Sequence, residues 1–153
     1  MRTVIQRVSR AAVRIDGRVH ASIGAGLLVL LGVHRDDDEA RAIWMAGKIA
    51  RLRIFEDDNG VMNRSLLETG GDVLVISQFT LIANNRKGNR PSFNNAAHPK
   101  IAVPLYETCV QTLENLLKKQ VLTGVFGAHM EVDLINDGPV TIVIDSTASG
   151  HLD

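Results

Sequence analysis

Cysteine is nearly absent: Cys109 is the only one in 153 residues. A lone thiol cannot close an intramolecular disulfide, and a reducing compartment suits such a chain. Net charge is lacking too, with 17 basic against 17 acidic side chains. That removes any global attraction to nucleic acid, so an RNA contact must come from a local patch. No apolar run reaches the roughly 20 residues of a membrane span. The longest, Ala25 to Val33, is interrupted by Gly26 and Gly32. The opening MRTVIQRVSRAAVRI alternates charged and apolar residues and has no unbroken apolar core of a secretory signal. A cytoplasmic protein without a membrane partner is expected. Catalytic signatures are also missing: no GxSxG elbow, HExxH, P-loop or CxxC is present. The five histidines (His20, His34, His98, His129 and His151) lack ligand-like spacing, so neither a metal nor a cofactor is expected.

What is present suffices for one folded unit. Hydrophobic residues make up 45% and charged residues 22%, outside the range of disordered chains. No repeat, low-complexity segment or linker divides the sequence, so residues 1–153 are read as a single domain. Asp16-Gly17 between RAAVRI and RVHASI predicts a β-hairpin, because both turn residues need positive φ. GLLVLLGVH and DVLVISQFTL are continuous apolar runs, the pattern of strands buried on both faces. DDDEARAIWMAGKIARLRIF predicts a helix with Ala42, Met45, Ile49 and Leu52 on one face and Asp37, Asp38 and Glu39 at its positive end. DDNGVMNRSLLETGG and IANNRKGNRPSFNNAAHP read as loops. A second helix runs to about Gln120 on a stripe of Tyr106, Cys109, Val110, Leu113 and Leu117, its start blurred by Pro99 and Pro104. HMEVDLIN and VTIVID are strands joined at Asp137-Gly138-Pro139. Strands outnumber helices and most connections are not βαβ. The expected class is α+β, with a mixed or antiparallel barrel-like sheet covered by helices.

Three segments could carry chemistry. Ser77-Gln78-Phe79-Thr80-Leu81 ends a buried strand, where backbone N–H groups and Gln78 could donate to an oxyanion and Thr80 offers a hydroxyl. No nearby residue would activate that hydroxyl, and an ordinary strand with an outward Thr fits as well. Asn136-Asp137-Gly138-Pro139-Val140-Thr141 reads as a hairpin turn. Cis X–Pro bonds are only about 5–6% of such bonds in folded proteins, so the residues alone predict trans. Arg86, Lys87 and Arg90 place three cations within five residues ahead of Phe93. They could clamp phosphate while Phe93 stacks on a base, or form a solvated charged loop. Cys109 on an apolar helix stripe reads as a small core residue.

Taken together, VIQRVSRAAV, LLVLLGVH, SQFTL, GNRPSF and GVFGAHMEVDLINDGPVTI resemble the D-aminoacyl-tRNA deacylase family from residue 4 to about residue 143. NDGPVTI at this distance after SQFTL is the most specific part, and the tail STASGHLD carries no motif. The resemblance implies hydrolysis of the ester in D-aminoacyl-tRNA, and of glycyl-tRNA, as chirality proofreading in translation. It implies a homodimer with the active site at the subunit interface. Gly138-Pro139 would be a Gly-cisPro dipeptide whose carbonyls enter the partner's site and reject L-aminoacyl groups, with Arg7 holding it. Ser77, Gln78, Phe79 and Thr80 would be the catalytic segment facing the 3′-terminal adenosine and the scissile ester. Thr141 and Met130 join Arg7, Gly138 and Pro139 as substrate-binding positions.

Two mechanisms follow as expectations. In one, the ribose 2′-hydroxyl helps activate water and the protein positions the ester. In the other, Thr80 is a covalent nucleophile served by a base that the sequence does not identify. Rival classes are a non-catalytic RNA-binding module and an esterase of small molecules.

Overall fold

The computed structural model describes residues 1–86 and 88–146. Lys87 of the basic loop and the tail after Ser146 lie outside the described residues.

Asp16 (φ 50°) and Gly17 (φ 73°) make the predicted tight turn between β1 (Arg2–Ile15) and β2 (Arg18–Ile23). β1 is long and serves three neighbours. Its first half pairs antiparallel with β3 (Gly26–Gly32) and its second half with β2. After β3 come α1 (Glu39–Arg51), the short strands β4 (Phe55–Glu56) and β5 (Met62–Arg64), and the one-turn α2 (Leu66–Thr69). Then β6 (Asp72–Ser77) leads into a 3₁₀ turn (Phe79–Ile82), and α3 (Pro99–Leu117), β7 (Leu122–Thr123) and β8 (Glu131–Asp145) complete the chain. β6 runs parallel to β3 and to β7, while β8 lies antiparallel along the whole of β1. The result is the expected α+β class: a mixed, nearly closed, barrel-like sheet with helices packed on it.

Alternation along the central strands explains why they read as unbroken apolar runs. Leu27, Val29 and Leu31 of β3, with Val73 and Val75 of β6, face the helices and meet Met45, Ile49, Cys109 and Leu113. Leu28 of β3, with Leu74 and Ile76 of β6, faces the opposite way into a second cluster with Val8, Val13 and Ile23. Strands covered on both sides have no polar face to show.

Four sequence expectations are corrected. The first helix begins at Glu39 with Asp38 as its cap, accepting from Arg41 N–H at 2.9 Å. Asp37 turns inward instead and accepts from the Met1 amine (2.5 Å) and the His34 N–H (2.6 Å). That helix also stops at Arg51, because Phe55 and Glu56 leave it to pair with β5. The loop-like stretch after it holds the turn and second strand of that hairpin and α2, where the Glu68 carboxylate accepts from the Ser65 N–H and hydroxyl, both at 2.7 Å. This is the S-x-x-E capping box, a local pattern that starts a helix where turn residues alone predict a loop. Finally, Asp137-Gly138-Pro139 does not join two hairpin strands. Residues 131–136 and 141–145 both pair with β1 in one direction, so the tripeptide is a protrusion inside a single 15-residue strand.

Candidate functional site

β3 and β6 are parallel and end side by side, and a pocket of about 260 Å³ opens at their carboxyl ends. Ser77, Gln78 and Phe79 form one wall. Ala102 and Tyr106 of α3 form another, and Phe126, His129 and Met130 close it from the approach to β8. Tyr106 is held by a 2.8 Å hydrogen bond from its hydroxyl to the Val75 carbonyl. Burial pushes its phenol above its ordinary range. The Phe126 ring meets it edge-on at 6.2 Å. Gly124 leaves the space that Met130 fills: a Cβ there would collide with the Met130 sulfur.

The turn after β6 is locked from behind. Gln78 N–H donates to the Leu31 carbonyl at 2.8 Å, and Arg2 Nη1 donates to the Leu81 carbonyl at 2.9 Å. The same guanidinium grips Asp145 of β8 at 2.5 and 2.7 Å. Phe79 and Thr80 open the 3₁₀ turn, and their N–H groups have no acceptor among the described residues. Two such donors on a braced backbone suit a developing oxyanion. Thr80 is exposed, and its Oγ1 accepts a hydrogen bond from the Gln78 amide. An amide N–H cannot take the hydroxyl proton. Among the described residues lining the pocket there is no carboxylate, lysine, arginine or cysteine. Cys109 lies fully buried in the core, its thiol pushed up to about 12 by that burial.

Arg7, Gly138, Pro139 and Thr141 do not line this pocket. They form a second group on β1 and β8. The Arg7 side chain is 8% exposed. Its Nε donates to the Asp137 carbonyl at 2.9 Å and its Nη1 to the Ile54 carbonyl at 2.7 Å. The Glu56 and Asp137 carboxylates stand 3.7 and 3.6 Å from it. The Gly138–Pro139 bond is cis, contrary to the trans expected from the residues alone. Gly138 has φ 147°, which L side chains rarely adopt, and both residues are exposed.

Asn136 closes the base of the protrusion, a role that turn composition alone did not reveal. Its Oδ1 accepts from Val140 N–H at 2.8 Å, while its Nδ2 reaches the Val140 carbonyl and Thr141 Oγ1 at 3.2 Å. Gln6 Nε2 donates to the same Thr141 oxygen at 3.2 Å. Sequence reasoning also missed Tyr106, Phe126 and His129 as pocket walls; Tyr106 read only as part of a core stripe. Phe93 differs from its expected role as well. It is half-buried, its ring edge-on to Phe79 at 5.1 Å, and Phe79 is the one left 56% exposed.

The D-Tyr-tRNA(Tyr) deacylase family pattern matches residues 4–145. A D-aminoacyl-tRNA deacylase of Opitutus terrae is 60% identical over 148 residues, covering 97% of this chain and 99% of its own. The solved structure of the c-Myc DNA Unwinding Element Binding Protein is 38% identical, with a TM-score of 0.91 over 95% of this chain and 99% of its own. A structure described as "Structural Analysis of a probable eukaryotic D-amino acid tRNA deacylase" shares the fold at a TM-score of 0.79 and 16% identity, over 94% and 97%.

Proposed function

The chain belongs to the D-Tyr-tRNA(Tyr) deacylase family and is an ester hydrolase of that family, and from this premise we propose how it selects and cleaves its substrate. The ester joining a D-amino acid to the terminal adenosine of tRNA enters the Ser77–Phe79 pocket. Water adds to the ester carbonyl carbon, the oxyanion is held by the N–H groups of Phe79 and Thr80, and the ester C–O bond breaks to release amino acid and tRNA. The observation that carries this reading is the pair of N–H groups without an acceptor among the described residues, Phe79 on the pocket wall and Thr80 next to it in the same 3₁₀ turn. The ribose 2′-hydroxyl assists the attacking water, because Ser77 and His129 line the pocket without a hydrogen bond between them and Thr80 accepts only from the Gln78 amide among the described residues. Positioning of this kind can remove on the order of 7–11 kcal/mol from a barrier.

Selectivity needs the second group of residues, which lies outside the pocket on one chain. A second copy brings its Gly138-Pro139 protrusion to the pocket mouth, with the active site at the interface of a homodimer. Backbone carbonyls there form a wall against the side chain of an L-aminoacyl ester and leave a D side chain free. Glycine has no side chain to reject, so glycyl-tRNA is also cleaved. Such a filter ignores side-chain identity, as proofreading of translation in the cytoplasm demands. None of the described helices is long and apolar enough to cross a membrane.

The test is release of amino acid from D-tyrosyl-tRNA and L-tyrosyl-tRNA by purified protein. Loss of the D ester with the L ester spared is the expected result. Equal loss of both would remove the chiral wall. Loss of neither by folded protein would return the chain to a nucleic-acid-binding role without turnover. Thr80→Ala separates the two mechanisms: kcat is expected to stay within about tenfold of the parent, whereas loss of a true nucleophile costs more than about 10³-fold.

A further inference from the structure

From Val73 to Tyr106 the chain has no acidic residue, although its formal charge is balanced overall. The basic residues of this stretch are Arg86, Lys87, Arg90 and Lys100. Arg86 and Arg90 lie on a loop whose ends are pinned by a two-bond bridge, Asn84 N–H to the Ser92 carbonyl at 2.8 Å and Ser92 N–H to the Asn84 carbonyl at 2.9 Å. The Asn84 side chain also accepts from Arg86 N–H at 3.1 Å. Both arginines are exposed, and among the described residues neither guanidinium has an ion-pair or hydrogen-bond partner. Elsewhere Arg2, Arg7, Arg10, Arg41 and Arg64 are all paired with carboxylates.

The same loop reaches the pocket through aromatic rings. Phe93, just past the bridge, sets its ring edge-on against Phe79. Phe79 is a pocket wall and keeps more than half its surface open to water. Beyond the 3₁₀ turn a polar cleft of about 440 Å³ is lined by Asn84, Asn85, Arg86 and Asn95 and by Arg2, His34 and Asp145, whose carboxylate is paired with Arg2. An open ring braced by the residue that follows a loop of unpaired guanidinium groups and amides suits single-stranded nucleic acid: bases stack and phosphates pair. A duplex offers no free base face, and an acidic peptide gives no reason for the ring.

We propose that Phe79, braced by Phe93, together with Arg86 and Arg90 of the Asn84–Ser92 loop, forms a second subsite that holds the single-stranded RNA leading to the terminal adenosine. Phe79 stacks on the base of the preceding nucleotide, and the two arginines contact the phosphates 5′ of it. The identity of that RNA end rests on the deacylase reading.

The test compares kcat/KM for D-tyrosyl-tRNA and for D-tyrosyl-adenosine, which has the ester but no phosphate, across a salt series. In Arg86→Ala/Arg90→Ala the ratio of tRNA to nucleoside ester is expected to fall about 10–100-fold at low salt, through KM. The log–log salt dependence for tRNA should become shallower by about 1.4, at about 0.7 per lost single-strand phosphate contact. Lys100→Ala, which removes one positive charge outside the loop, is expected to change neither. An unchanged ratio and slope in the double variant would overturn the subsite, and an equal effect of Lys100→Ala would reduce it to general attraction. If the parent cleaves neither ester, the deacylase reading has failed, and binding decides the subsite alone. A short single-stranded RNA with 2-aminopurine one nucleotide before its 3′-terminal adenosine should then be quenched by the parent protein, and less by Phe79→Leu. Full quenching by that variant and by the double arginine variant would overturn the proposal.

Discussion

Arg7→Met is expected to remove most deacylase activity, by about 100-fold or more, while lowering stability by about 2–3 kcal/mol. The guanidinium joins three distant pieces of chain: β1, which carries it; the Ile54 carbonyl before β4; and the Asp137 carbonyl at the foot of the Gly138-Pro139 protrusion. Methionine has similar length but no donor. The Ile54 carbonyl is buried and would lose its partner, which costs about 1–3 kcal/mol. The Asp137 residue is exposed, so its carbonyl recovers a water and contributes less. The neighbouring carboxylates add little, since Glu56 and Asp137 are 59% and 60% exposed and such pairs are worth about 0–1 kcal/mol. The activity loss comes from the protrusion losing its tether, and a displacement of about 1 Å at a reacting centre can cost about 10²-fold. Chemical denaturation and single-turnover deacylation of D-tyrosyl-tRNA read the two effects separately. Arg7→Lys should keep part of the stability and little of the activity, because one ammonium cannot span both carbonyls in the fork geometry of arginine. Full activity in Arg7→Met would show that the protrusion needs no tether and would remove it from the proposed site.

How far the sequence could be read depended on whether a feature was local. The Asp16-Gly17 turn and the doubly buried strand β3 are local patterns and stand where the residues predicted them, whereas the run DVLVISQFTL is a strand only to Ser77 and then tightens into the Phe79–Ile82 3₁₀ turn. Ser77 is the last residue of β6, and Ser77, Gln78 and Phe79 line the pocket while Thr80 does not. Apart from the local Ser65–Glu68 capping box, what escaped was set by contacts across the chain. The hydrophobic pattern of β8 breaks at Asp137-Gly138-Pro139 just as a hairpin would. Only its pairing with the one long strand β1 shows that the chain continues in the same direction. Phe55 and Glu56 follow a good helix pattern but gain more by pairing with Met62 and Arg64. Tyr106 satisfied the core stripe and the pocket at once, because its ring packs while its hydroxyl reaches Val75, 31 residues away. Phe93 was visible as an aromatic beside cations, but which ring of the Phe79–Phe93 pair faces water is a matter of tertiary packing.

Gly32→Ala is expected to lower kcat by about 100-fold with a smaller cost in stability. A Cβ at Gly32 would stand 2.8 Å from the Gln78 carbonyl oxygen and 3.1 Å from Leu81 Cβ. The first is backbone and cannot swing aside, so the Gln78–Ile82 turn must move and carry the Phe79 and Thr80 N–H groups with it. Overpacking of this kind costs about 1–3 kcal/mol, which leaves most of the protein folded at 25 °C. The defect lies in the pocket and leaves Arg7 and the Gly138-Pro139 protrusion untouched, so the two variants damage opposite halves of the proposed site. Mixing them is therefore informative. If each site combines the pocket of one protomer with the protrusion of its partner, a Gly32→Ala/Arg7→Met heterodimer has one site with both halves intact. Random pairing makes half the dimers mixed, so an equal mixture refolded together should recover about one quarter of parental activity from two nearly inactive parents. If pocket and protrusion act within one chain, every site in the mixture carries a defect and no activity returns. Recovery, measured as D-tyrosyl-tRNA turnover against each variant alone, would require a site completed across the subunit interface.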